Sequence, residues 1–176
     1  MQLRQPIGLA ALVVLLASNA AADGGAAAWI TVYSDDDQLT VISPQANASQ
    51  SLGEHAEVSV HYDADIITAA TVDVRTAASP RGYSEVRHGI EVGTRWKPQT
   101  ETSLGLRYVG SFEGDYSSSA VVVGMSHEWW RRSLTSSITG VVRFDQVGRH
   151  GEPRDRWRPL SVTSARFEQA AIINRR

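Results

Sequence analysis

From about residue 38 onward the chain alternates apolar and polar residues with a period of two rather than 3.6, the pattern of strands with two unlike faces. In "HAEVSVHYDAD" (55–65) one row reads Ala56, Val58, Val60, Tyr62 and Ala64, and the other reads His55, Glu57, Ser59, His61, Asp63 and Asp65. Ribbons of this kind are expected over 26–33, 38–52, 55–70, 84–96, 101–113, 116–129, 133–147 and, more weakly, 159–170. Six of them run to about 13–16 residues, against about 5–6 for an ordinary strand. Soluble sandwiches seldom need such length, whereas tilted barrel strands that continue beyond a membrane do.

The turns alternate in length. "LGE" (52–54), "KPQT" (97–100) and "WRR" (130–132) are tight, and between them fall a long loop, "TVDVRTAASPRGY" (71–83), a short one at "GD" (114–115) and another long one, "GRHGEPRDRWR" (148–158). Short turns at one end and longer loops at the other are the rhythm of outer-membrane barrels. With the tight turns in the periplasm, 26–33 runs outward, "SDDD" (34–37) is an outer loop, and the strands number eight, the even count a closed bacterial barrel needs.

The two rows sort consistently from strand to strand. One carries Val58, Val60, Val86, Ile90, Leu104, Leu106, Val121, Val123, Ile138 and Val142, with aromatics towards its ends (Trp96, Phe112, Trp129, Trp130, Phe144). Those five are expected as membrane-interface anchors, a girdle flanking a lipid band. The opposite row carries His61, Asp63, Asp65, Arg87, Glu91, Arg95, Arg107, Arg143 and Asp145, expected to face a lumen.

Composition sharpens this reading. The first residues hold Arg4, an apolar run over 7–17 and then "SNAAAD", with Ala20 and Ala22 in the spacing of a secretory cleavage site, so residues 1–22 are expected to be a signal peptide. The run is too short for a spanning helix, which needs about 20 apolar residues. There is no cysteine, so stability is expected from strand pairing and packing rather than disulfides. With a net charge of −2 and dispersed charges there is no basic block to track a nucleic-acid backbone, and no nucleic-acid partner is expected.

Candidate chemistry is sparse. No nucleophile elbow, phosphate-cradling glycine loop or HExxH zinc motif occurs, and no enzyme activity or cofactor is expected. His61, Asp63 and Asp65 share a face and could serve as an acid–base or metal cluster, but a solvated network with arginines of neighbouring strands is the favoured reading. Asp35, Asp36 and Asp37 lack the spacing of a calcium loop and read as an acidic turn. Asp73, Arg75, Arg81 and Tyr83 in the long loop suit either ligand contact or plain solubility. "EWWRR" (128–132) reads as an interfacial anchor, and Asn47-Ala48-Ser49, a glycosylation pattern, falls within a strand.

"YSDDDQLTVISPQANASQSLGE", "VHYDADIITAATVDVRTAASPRGYSEVRHGIEVG" and "YVGSFEGDYSS" together resemble the bacterial proteins grouped as domain of unknown function family 3570. The resemblance runs from about Tyr33 to Gly151. It implies an outer-membrane β-barrel without a known activity, in a family whose members are longer, so that this chain matches the first part of the pattern. Its last stretch, "RFEQAAIINRR", lacks the aromatic-ended strand that barrel assembly usually reads.

The expectation is an all-β, antiparallel up-and-down meander. It forms a transmembrane β-barrel of about eight strands over 23–170, or the N-terminal part of a larger or truncated one, with 171–176 a disordered tail. Location would be the bacterial outer membrane, the role structural or pore-related, and the partners membrane lipid and the barrel-assembly machinery, with no ligand named. The alternative is a soluble periplasmic or secreted barrel holding a small apolar ligand, with Val58, Val60, Ile90, Leu104 and Leu106 turned inward. A third possibility, a barrel enzyme, would use His61 with Asp63 or Asp65.

Overall fold

The computed structural model describes residues 16–18, 23–35, 39–69 and 83–173. Eight long strands form one antiparallel meander: β2 (Gly24–Ser34), β3 (Leu39–Leu52), β4 (Ala56–Ala69), β5 (Tyr83–Gln99), β6 (Thr102–Phe112), β7 (Tyr116–Trp129), β8 (Leu134–Val147) and β9 (Arg158–Ala171). A three-residue strand, β1 (Leu16–Ser18), pairs with Ala26–Ala28 at the N-terminal edge, inside the stretch expected to be a signal peptide. Each strand pairs only with its neighbours in sequence, so the described sheet has two edges, one at β1 and β2 and one at β9.

The expected ribbons match these strands to within one to three residues at their ends, because period-two alternation marks where one face must differ from the other. Tight turns close β3–β4, β5–β6 and β7–β8 at one end of the sheet, and the other connections lie at the opposite end. The β3–β4 turn uses Gly53 at φ +69°, where glycine carries no Cβ penalty. The β7–β8 turn instead holds Trp130, Arg131 and Arg132 at φ of 48°, 55° and 70°. A non-glycine residue in that region costs about 1–2 kcal/mol.

Register puts the apolar rows on one face across β4 to β8. Val60, Val92, Tyr108, Val121 and Val142 form one cross-strand line, and Ala56, Trp96, Leu104, Met125 and Ile138 form another. The ionic rows share the other face, where Glu57 on β4 and Thr139 on β8 line one hollow of about 250 Å³. Residues four strands apart border the same hollow, so the sheet curls with its ionic face inward. Small inner residues make room for the curl: Gly93, Gly105 and Gly124 all border that hollow.

The packing has no ordinary apolar core among the described residues. Its buried apolar side chains are Ala64, Ala120 and Trp157, while Val123, Leu106, Met125 and Ile138 are about half exposed on the outer face. The alternation also fails on β9. Its outer row is Ser161, Thr163, Ala165, Phe167 and Gln169, and its inner row sets Leu160 opposite Asp145 and Val162 opposite Arg143. Within the stretch 171–176, expected as a disordered tail, Ala171 ends β9 and the Ile172 N–H bonds the Ser133 carbonyl at 2.9 Å, while 174–176 lie outside the described residues.

Candidate functional site

The inner face carries a graded series of ion pairs rather than one cleft. Towards the loop end, Arg87 on β5 donates through Nη2 to Asp63 at 3.0 Å and to Asp65 at 2.6 Å, and through Nε to Asp65 at 3.0 Å. Ser43 Oγ, from β3, donates to the other Asp65 oxygen at 2.6 Å. Three strands therefore share one network. Gly89 stands directly opposite Asp63, and a Cβ there would land on the Asp63 carboxylate, so the acid can lie across β5 only because that position has no side chain.

His61 sits beside this network without joining it closely. Its Nε2 is 3.7 Å from Asp63 Oδ1, longer than a hydrogen bond, and its ring lies 6.2 Å from that of Trp29 on β2. With Asp63 and Asp65 engaged by Arg87 and Ser43, the cluster has the geometry of a structural ion network. Of the arginines on the neighbouring strands, Arg87 enters, Arg107 pairs with Glu91 at 3.2 Å, and Arg95 lies opposite Glu57 without a salt bridge among the described residues.

At the far side of the inner face, Arg143 Nε pairs with Asp145 at 3.0 Å. Asp145 is 2% exposed, and its Oδ1 has no hydrogen-bond partner among the described residues. The nine residues expected to face a lumen share the inner face by register; eight of them fall in three separate groups rather than one constellation, and Arg95, beside Glu57, belongs to none of the three.

Sequence reasoning missed two members, Ser43 and Gly89, because each acts through a cross-strand register that alternation does not fix. It also missed a carboxylate cluster at the loop end, where oxygens of Glu85, Glu113 and Asp115 lie within 4.8 Å of one another. Partial burial first, and then the neighbouring Glu85, hold the Glu113 carboxyl above the ordinary glutamate range. These acids come from β5 and the β6–β7 turn, with no shared sequence motif. Asp36, Asp37, Asp73, Arg75 and Arg81 lie outside the described residues.

The outer face has its own polar marks. Near the loop end Tyr62 Oη and His88 Nδ1 are 2.8 Å apart, and at the tight-turn end His127 meets Thr102 Oγ1 at 2.9 Å and the Trp129 ring at 4.1 Å between centroids. Of the expected anchors, Trp96, Phe112, Trp129 and Phe144 lie on this face, and Trp130 projects from the β7–β8 turn. Aliphatic residues fill the zone between them. No family model, curated protein or solved structure matches the chain.

Proposed function

We propose that this chain is an outer-membrane β-barrel protein, or the first part of a larger barrel, with a structural or pore-related role and no catalytic one. The carrying observation is that the continuous apolar surface lies outside the curl and the ion pairs lie inside. A soluble protein rarely exposes an apolar patch beyond a few hundred Å², and a barrel holding an apolar ligand needs the reverse arrangement.

The height of the apolar zone supports the same reading. His88 pairs with Phe112 and Phe112 with Ser117, while His127 lies ten residues further along β7. At roughly 3.3 Å per residue and a tilt of about 40°, these polar marks are roughly 25 Å apart along a barrel axis, the height of a lipid-facing band. Closure would join β9 to β2, which run in opposite directions, completing an even barrel. In a barrel of eight strands side chains fill the lumen, whereas in a larger one the same ionic face lines a channel. The resemblance to family 3570 and the signal-like residues 1–22 point to the same compartment.

The test is fractionation of bacteria expressing the full precursor, with the outer-membrane fraction run on a gel with and without boiling. A band there that shifts on heating is the expected result. A soluble periplasmic band would overturn the reading.

A further inference from the structure

The β8–β9 connection is long but built. Trp157 is buried against Gly148, where an added Cβ would strike the indole, and its Nε1 donates to the Glu152 carbonyl at 3.1 Å. Backbone bonds from Arg156 to Pro153 at 3.0 Å and from Trp157 to Arg154 at 3.2 Å tighten a 3₁₀ turn over Arg154–Arg156. Gly151 supplies the reversal at φ +78°.

On this frame stand Arg149, Arg154, Arg156 and Arg158, all exposed. The Arg154 guanidinium lies 5.4 Å from the Trp157 ring centre, and the Glu152 carboxylate is occupied by the Arg149 backbone N–H at 3.1 Å. None of the four arginines has a carboxylate within 4.0 Å among the described residues, whereas Arg87, Arg107 and Arg143 inside the curl are all paired. Asp155 is the other acid of the loop. Exposed guanidiniums carried on one built loop, with Arg154 held against Trp157 and none engaged by a carboxylate among the described residues, suit phosphate, whose oxygens match their donor fork.

The position in the sheet identifies the source of that phosphate. Phe144, the outermost anchor on β8 and 60% exposed, lies three residues before the strand ends at Val147, so the arginines begin just beyond the aromatic level. In a barrel, that is headgroup depth. We propose that the 148–158 loop binds the phosphate groups of lipid headgroups in the leaflet on the loop side, an inference that rests on the barrel reading above.

The experiment uses the full-length mature protein folded in zwitterionic micelles. Native mass spectrometry titrates it with short-chain phosphatidic acid, short-chain phosphatidylcholine and inorganic phosphate, and the heat shift on a gel is read on the same samples. Saturable binding of phosphatidic acid over phosphatidylcholine is expected. The double change Arg154→Gln, Arg156→Gln should weaken it about thirtyfold, as loss of two surface guanidiniums implies, with the heat shift retained, and Arg131→Gln at the other end should leave it intact. Inorganic phosphate binding as tightly as phosphatidic acid would overturn the lipid assignment. Equal binding by the double variant, or no preference in a protein that still shifts on heating, would overturn the loop's role and leave the barrel standing. A protein that stays soluble and shows no heat shift would overturn both.

Discussion

Arg87 on β5 holds Asp63 and Asp65, two residues apart on β4, with one guanidinium at 3.0 and 2.6 Å. Without it, two carboxylates on one face of a strand would stand side by side. Arg87→Gln should therefore destabilise the sheet by about 1–3 kcal/mol, the range for a lost charge-assisted bond that leaves its partner partly buried. Asp63→Asn in the same background should recover part of the loss. Urea unfolding of the four members of this cycle reads the coupling, and strictly additive effects would mean that the pair does not interact.

Gly89 is the space that this network occupies. Gly89→Ala would push the Asp63 carboxylate off its path across β5, although the β-propensity of alanine is no worse than that of glycine. The expected cost is about 1 kcal/mol, close to that of a partial loss of the Arg87 bond. It should vanish when Asp63 is already Ala, which removes the atoms the new Cβ would strike. If Gly89→Ala proves equally costly with and without Asp63, the clash is with the backbone and not with the acid.

Alternation made the strands legible because a curled sheet with unlike faces must write its faces every second residue. The rows of β4, with Val58 and Val60 on one side and Asp63 and Asp65 on the other, needed no further information. Contacts across strands were less legible. Asp63 meets Gly89 only through the 63↔89 register, which the sequence between the two strands does not fix. The carboxylate cluster was invisible for the same reason, since Glu85 reaches Glu113 and Asp115 by way of pairing between β5 and β6. On β9, Arg166 and Glu168 share the inner row with Leu160 and Val162, so neither row of that strand is uniform, and its face could not be read.

Val60 is flanked by Ala48 and Val92 on the outer face and is half exposed. If hydrocarbon meets this face, Val60→Arg should cost about 2–4 kcal/mol in folding into vesicles. Glu91→Gln, inside the curl and facing Arg107, removes one partly exposed ion pair and should cost under about 1 kcal/mol. Folding yield and urea midpoint in phosphatidylcholine vesicles compare them. Equal tolerance of the two changes would reverse the assignment of faces.

Glu113 gives the loop end a pH dependence of definite sign. Its folded-state pKa is raised, first by burial and then by Glu85, so the folded protein binds the proton more tightly than the unfolded chain does. Between the ordinary glutamate range and the raised value, stability from this group should fall as pH rises, and below that range the penalty should be gone. Glu85→Gln should bring the Glu113 titration down towards the ordinary range, as read by carboxyl carbon NMR. An unchanged Glu113 titration in that variant would remove Glu85 from the causes of the shift and leave burial, with Asp115 and Asp65, to account for it.

The outer row of β9 tests what that strand faces. Ser161 stands beside Phe144 and Thr163 beside Val142, so polar side chains continue a row that is apolar on β8. If lipid covers β9 as it is proposed to cover β8, exchanging Ser161 for Leu buries apolar area in hydrocarbon and should stabilise the folded protein by about 1–2 kcal/mol. Leu160, on the inner row opposite Asp145, supplies the control, because Leu160→Ser should not stabilise on the same grounds. Unfolding in vesicles measures both. Stabilisation by Ser161→Leu would make β9 a membrane-facing strand with a weak sequence. A loss of stability would mean that its outer row meets something polar, and the lipid-facing surface would then end at β8.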